Sequence, residues 1–232
     1  MKKHIPNAIT CLNLFCGCIG IVLAFSDNLL YSCYAIFFAA VFDFLDGLAA
    51  RLLKAYSDLG KELDSLADVV SFGVLPSVIV YQLFLISPTV GDISPYLNFS
   101  AFLISIGSAL RLAKFNLDTR QAINFIGLPT PANALLIASL PLTLTDSGTS
   151  FSNYILNAYF LTFFSGASAF LLLIELPLIS LKFNDLTIGA NIYRYILIFS
   201  GLLLLLILKF AAIPFIIVLY ILLSIIQFRK PK

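Results

Sequence analysis

The 232-residue chain is 60% hydrophobic and 11% charged, with a mean hydropathy of +1.02. A soluble domain carries about a quarter of its residues charged, so a water-soluble globular fold is excluded and a polytopic all-α membrane protein is expected. The formal net charge of +2 gives no reason to expect a nucleic-acid partner; the placement of the charges is more telling. In chain order, apolar runs long enough to cross a bilayer fall near 8–26, 29–53, 60–86, 99–117, 130–145, 154–176, 192–209 and 211–228. The first follows Met1-Lys2-Lys3 and has no small-x-small cleavage site, so it is expected to remain as a span. Cys11, Cys16, Cys18 and Cys33 lie in the first two runs. The Cys16-x-Cys18 pair has no second pair, and the one histidine is His4, so these thiols read as small buried apolar groups.

Eight spans with the N-terminus in the cytoplasm place 13 of the 14 basic residues on the cytoplasmic side, Lys209 being the exception. The opposite loops, 26–28, 87–98 and 145–153, hold none. Both termini are therefore expected inside, and the very short turn Lys209–Pro214 leaves counts of six or seven open. Pro88, Pro95 and Gly148 are ordinary span terminators, Tyr31, Tyr96, Tyr154 and Tyr193 sit near span ends as interfacial anchors, and no internal repeat is present.

The stretch Asp43–Asp68 breaks this pattern with four carboxylates, Asp43, Asp46, Asp64 and Asp68. An Asp at the centre of a membrane helix costs roughly 2.5–3.5 kcal/mol, so four uncompensated ones cost about 10 or more. Ionisable groups at membrane depth mark function by default. At 100° per residue, Asp43, Asp46, Gly47, Ala50 and Arg51 share one helix face within an arc of about 140°. Asp64 and Asp68, four apart, share a face of the next helix. If the chain turns around Ala55–Ser57, the four acids converge between two antiparallel helices, two to three turns beneath the cytoplasmic surface.

Such a cluster makes sense if divalent cations neutralise it. All-oxygen ligands with no Cys or His in reach favour a hard ion, Mg²⁺, Mn²⁺ or Ca²⁺. Two ions cancel four charges and leave coordination sites for phosphate oxygens, the layout of two-metal phosphoryl chemistry. Gly47 and Ala50 clear space for a bulky ligand, Arg51 supplies a fork for phosphate or carboxylate, and Gly60 fits a close approach or bend. Two alternatives stand beside this reading. A purely structural cluster would set four carboxylates against Arg51, Lys54 and Lys61. An ion-coupled transporter would use the acids for Na⁺ or H⁺, although repeats and broken helices usually accompany that function.

The spacing Asp43-x2-Asp46-Gly47-x2-Ala50-Arg51-x8-Gly60-x3-Asp64-x3-Asp68 resembles the signature of the CDP-alcohol phosphotransferase family. Further likeness lies in Pro6-Asn7-x2-Thr10-x2-Asn13, Ser65–Gly73, Arg111–Asn116 and Phe125–Pro131, together about the first 145 residues. The resemblance implies a six-helix catalytic core at about 1–176 in a single transmembrane domain, 1–232, with peripheral spans at about 192–228. It implies an inner-membrane homodimer, embedded among membrane lipids, with its active site facing the cytoplasm. By the same likeness, Asp43 and Asp64 would contact both metals, Asp46 the first and Asp68 the second, with Asp68 also the general base. Asn7, Thr10, Gly47, Ala50, Arg51, Ser57 and Gly60 would hold CDP-diacylglycerol. The implied reaction is phosphatidyl transfer from CDP-diacylglycerol to the hydroxyl of L-serine with release of CMP. Glycerol phosphate, inositol phosphate or an archaetidyl substrate is the alternative within the family.

Three segments carry competing readings. Asn7 and Thr10 would cap the first helix or sit beside the nucleotide. Arg111, Lys114 and Arg120 would be positive-inside anchors or, with Asn116 as a polar partner, the acceptor site. Where family members often carry Arg, Lys114 keeps the charge but not a bidentate contact. Gly127–Pro131 would be a turn or a rigid wall of the acceptor pocket.

Overall fold

The computed structural model describes residues 4–89, 96–118, 125–146, 149–180 and 187–229. Helices α1 (His4–Phe25) and α2 (Leu29–Leu52) form an antiparallel hairpin. The face α1 turns inward carries Pro6, Thr10, Asn13, Gly17, Gly20 and Ala24, at alternating spacings of four and three. Leu12, Phe15, Ile19 and Val22 point outward. Small and polar residues inside, large apolar ones outside, is the inverse of a soluble helix. Lipid solvates the large side chains, and close backbone approach supplies the packing. That approach is tight: a Cβ on Gly17 would lie 2.5 Å from Ser71 Oγ, and one on Gly20 would lie 2.5 Å from Leu75 Cδ2.

A turn through Lys54, whose φ is +49°, leads into the central rod. It consists of α3 (Asp58–Asp68), a π-helical turn (Val69–Val74) and α4 (Leu75–Leu85). Widening a helix to the π register frees carbonyls that hydrocarbon cannot satisfy. Serine hydroxyls take them up: Ser77 and Ser105 donate to Gly73 O at 2.8 and 3.3 Å, and Ser108 to Phe72 O at 3.5 Å. Ser71 Oγ itself donates to Asn13 O at 2.9 Å, tying the turn to α1. Below it, Leu75, Ile79, Leu83 and Phe84 are fully buried against Ile36 of α2 and the helices that follow.

The remaining rods surround this core. They are a 3-10 turn (Leu97–Phe102) running into α5 (Leu103–Leu117), then α6 (Thr130–Asp146), α8 (Ala158–Leu173), α9 (Ile188–Leu208) and α10 (Ala212–Arg229). A short α7 (Thr149–Ile155) lies where the sequence suggests only a loop. The fold is all-α apart from one short ladder among the described residues. Residues β1 (Phe125–Ile126) and β2 (Pro177–Leu178) pair antiparallel, Phe125 opposite Leu178 and Ile126 opposite Pro177. Next to them Gly127 has φ +75°, and a Cβ there would lie 2.7 Å from Leu172 O. Only glycine meets both demands. The strap is sealed from behind by α10, where Tyr220 Oη donates to Ile179 O at 3.0 Å and Ser224 Oγ accepts from Ile179 N at 3.1 Å.

The eight apolar runs therefore each contain a helical rod. Among the described residues four stretches are long and apolar enough to cross a bilayer: His4–Phe25, Leu29–Leu52, Asp58–Leu85 and the joined Asn191–Phe228, which a 3-10 turn interrupts at Lys209–Ala211. Thr130–Thr145 and Ala158–Leu173 are apolar but shorter.

Candidate active site

The α2–α3 hairpin brings the acids together as their spacing predicts. One carboxylate oxygen from each of Asp43, Asp64 and Asp68 lies within 4.8 Å of the others. Asp43 and Asp64 are half-buried and Asp68 is buried. Asp46, also buried, stands beside this trio on the side of the adjoining cleft. Two oxygens, Asp46 Oδ2 and Asp64 Oδ1, are sealed from solvent with no hydrogen-bond partner. Asp68 Oδ1 accepts from Asn13 Nδ2 at 3.1 Å.

The basic residues nearby do not neutralise the cluster. Arg51 Nε donates to Gly47 O at 3.0 Å and Lys61 Nζ to Asn116 O at 3.1 Å, both at the exposed rim. Among the described residues no Lys or Arg forms an ion pair with any of the four aspartates. Three unit charges at 4.8 Å repel by about 3.5 kcal/mol per pair at an effective dielectric of about 20, or about 10 kcal/mol together. A salt-bridged structural cluster is thus not what the chain builds. Three carboxylate oxygens drawn close together, with unpaired buried oxygens on Asp46 and Asp64, suit a hard divalent ion, and the residues present fit one.

Beside the acids lies a cleft of about 220 Å³ between the start of α1, the end of α2 and the start of α3. Asn7, Thr10, Gly47, Ala50, Ser57 and Gly60 all line it, together with Asp46 and Asp64. A Cβ on Gly47 would meet nothing within 4 Å, so its face is open to a ligand. A Cβ on Gly60 would press Asn7 Oδ1 and Ser57 Oγ at 3.0 Å. Ser57 caps α3, its Oγ accepting from Gly60 N at 3.1 Å. The capping expectation for Asn7 and Thr10 does not hold. The helix already runs from His4, so both sit inside it, and Thr10 Oγ1 donates back to Pro6 O at 3.1 Å. Arg51 stands at the edge, outside the lining. Tyr56 and Lys61 line the cleft as well. The sequence marks Tyr56 only as falling inside the signature's eight-residue gap, and Lys61 only as a base that could pair with the acids.

The four expected acceptor residues separate. Arg111 and Lys114 line a second cavity of about 350 Å³ between α5 and the end of α8, with Asp118, Ile126 and Glu175. Asn116 faces the other way, its Nδ2 donating to Ser65 Oγ at 2.8 Å as a strut between α5 and α3. Arg120 lies outside the described residues. The Arg111 guanidinium sits 5.9 Å above the Phe115 ring, its Nε buried without a partner, and it feels the Asp68 carboxylate electrostatically.

Apolar helical rods, a carboxylate cluster that could hold a metal ion and an adjoining polar cleft define a class of integral membrane protein. The family described as CDP-alcohol phosphatidyltransferase matches residues 3–181, and the chain belongs to it. Over 142 residues it is 39% identical to a CDP-diacylglycerol–serine O-phosphatidyltransferase of Bacillus subtilis, covering 61% of this chain and 77% of that protein. A protein of the same name from Helicobacter pylori is 40% identical over 134 residues, 57% of this chain and 54% of its own length. An archaetidylserine synthase of Methanothermobacter thermautotrophicus is 36% identical over 142 residues, 60% of this chain and 58% of its own. The chain thus spans only a little over half the length of the last two.

Proposed function

We propose that the chain transfers the phosphatidyl group of CDP-diacylglycerol to the hydroxyl of L-serine, giving phosphatidylserine and CMP. The observation that carries this reading is the meeting of Asp43, Asp64 and Asp68 within 4.8 Å beside an open polar cleft. The printed names of the three relatives above, each of which names serine, supply the acceptor. Asp43, Asp46, Asp64 and Asp68 would hold two divalent ions, Mg²⁺ or Mn²⁺. Such ions offset the charge of a diphosphate and of its departing nucleotide.

The chain's own residues do the rest. Asn7, Thr10 and Ser57 contact the nucleotide in the cleft, and the bare face of Gly47 lets it approach α2 closely. Ala50 and Gly60 keep the walls low, and Arg51 reaches a phosphate oxygen from the rim. The acyl chains remain in the bilayer. Asp68, fixed by Asn13, accepts the proton of the serine hydroxyl. As that oxygen bonds to the lipid-side phosphorus, the bond from phosphorus to the CMP oxygen breaks, and CMP leaves with the pair. Positioning accounts for most of the rate. Both termini and the site face the cytoplasm, eight spans cross the inner membrane, and the active form is a homodimer.

The test is CMP release from CDP-diacylglycerol by the purified chain against a panel of alcohols. L-serine should drive release, exhaustive chelation should abolish it, and Mg²⁺ or Mn²⁺ should restore it. Release driven by glycerol 3-phosphate or inositol phosphate but not serine would reassign the acceptor. Undiminished release after chelation would remove the metals.

A further inference from the structure

The stripe of α3 that presents two of the acids also carries a clamp. At 100° per residue Lys61, Asp64, Ser65 and Asp68 fall within an arc of about 100°. Across that arc the order is Asp64, Asp68, Lys61, Ser65, so the clamp borders the acids. Both clamp residues grip one residue of α5. Asn116 Nδ2 donates to Ser65 Oγ at 2.8 Å, and Lys61 Nζ donates to Asn116 O at 3.1 Å. Ser65 Oγ in turn donates to Lys61 O at 3.3 Å, which closes a ring of three contacts.

The position of Asn116 explains why it can be gripped in this way. It lies in the last turn of α5, where carbonyls have no partner within the helix and the helix dipole favours a cation. Lys61 supplies that cation from α3. Elsewhere α5 packs along the π turn, and Asn116 extends its hold to α3 itself. From α1, Asn13 holds Asp68. The acid-bearing helix is thus braced by two different neighbours.

Such a brace controls the roll of α3 about its own axis. Side chains reach about 5 Å from a helix axis, so a roll of about 10° moves a carboxylate by about 0.9 Å. A metal or catalytic constellation must be held to about 0.5 Å. Asp64 and Asp68 would move together past Asp43, and the grouping of three oxygens within 4.8 Å would open.

We propose that Asn116 is a positioning residue for the cation site, acting through Ser65 and Lys61 to fix the roll of α3 and touching neither substrate. The inference rests on the reading that the aspartates hold divalent ions. It moves Asn116 from the acceptor, where its basic segment suggests it belongs, to the support of the cage.

The experiment titrates Mn²⁺ into the full chain in detergent, without substrate, and reads free Mn²⁺ by electron paramagnetic resonance. Removing a group that orients metal ligands weakens metal binding by about tenfold or more. Asn116→Leu and Ser65→Ala should each raise the Mn²⁺ dissociation constant by about that factor. The double variant should be no weaker than the poorer single one, because both remove the same contact. Ser65→Thr keeps the hydroxyl and should bind Mn²⁺ nearly as wild type does. Melting temperatures in chelator, and the serine KM for CMP release at saturating Mn²⁺, should stay close to wild type.

Unchanged Mn²⁺ affinity in both single variants overturns the proposal and leaves serine transfer intact. A serine KM that rises at saturating Mn²⁺ while metal affinity holds places Asn116 at the acceptor and also overturns it. So do additive losses in the double variant, a Ser65→Thr as weak as Ser65→Ala, or a loss of affinity matched by a fall in melting temperature. Should Asn116→Leu fail to fold, Ser65→Ala against Ser65→Thr decides by the same criteria. A wild-type chain that binds no Mn²⁺ overturns the metal reading as well.

Discussion

Removing one acid from the cage should stabilise the metal-free protein. With one oxygen each of Asp43, Asp64 and Asp68 within 4.8 Å, each pair of charges costs about 3.5 kcal/mol at an effective dielectric of about 20. Asp43→Asn deletes two of the three pairs, about 7 kcal/mol at this spacing and bounded by full ionisation of all three acids, while keeping the side chain's volume. For a chain of this size each 1 kcal/mol moves the melting temperature by about 2–4 °C. Even a third of the bound corresponds to about 5–10 °C. In detergent with excess chelator, Asp43→Asn should therefore melt above wild type. On titration with Mg²⁺ or Mn²⁺ the order should reverse, because wild type gains the binding energy of its ions and the variant has lost a ligand. Activity should fall at the same time. A variant that melts below wild type in chelator, and still gains as much from the cation, would refute the idea that these carboxylates repel one another and exist to hold metal.

Two further substitutions probe the same region. Asp68→Asn should bind CDP-diacylglycerol normally but lose about 10²–10⁴-fold in turnover; near-normal kcat in the CMP assay would remove Asp68 as the base. Asn13→Leu deletes the donor that holds Asp68 Oδ1 at 3.1 Å and should lower kcat about tenfold, with the KM for CDP-diacylglycerol little changed, in a steady-state comparison with wild type.

The sequence exposes the cage so clearly because its parts are local. Asp43 and Asp46 lie one turn apart, Asp64 and Asp68 likewise, and a short turn at Lys54 closes the hairpin between them. Helical periodicity alone then sets Asp43 facing Asp64 and Asp68, with Asp46 beside them. The outer rods are legible for the same reason, since a run of apolar residues in lipid has few options besides a helix. What escapes is non-local or without a compositional signature. The π turn at Val69–Val74 differs from an α-helix in hydrogen-bond register, which no residue type announces. Glu175 shares a cavity with Arg111 although 64 positions separate them, and the two-residue β1–β2 ladder is below what alternation can reveal. Asn116 sits in a segment whose positive charge suggests an acceptor site, yet its amide bonds to Ser65. Asn13 is visible in its motif, but its contact with Asp68 bridges 55 positions.

The π turn also sets the phase of the central rod. Six residues wound at the wider pitch lag an ordinary helix by about one position, roughly 100°. The upper half can thus aim its aspartates at one neighbour while the lower half seats Leu75, Ile79 and Leu83 against others. Deleting a single residue within 69–74 would let the rod relax into uniform winding. The greasy half would then be swung out of its socket, or the acids out of theirs. This segment should accordingly tolerate substitutions far better than changes in length.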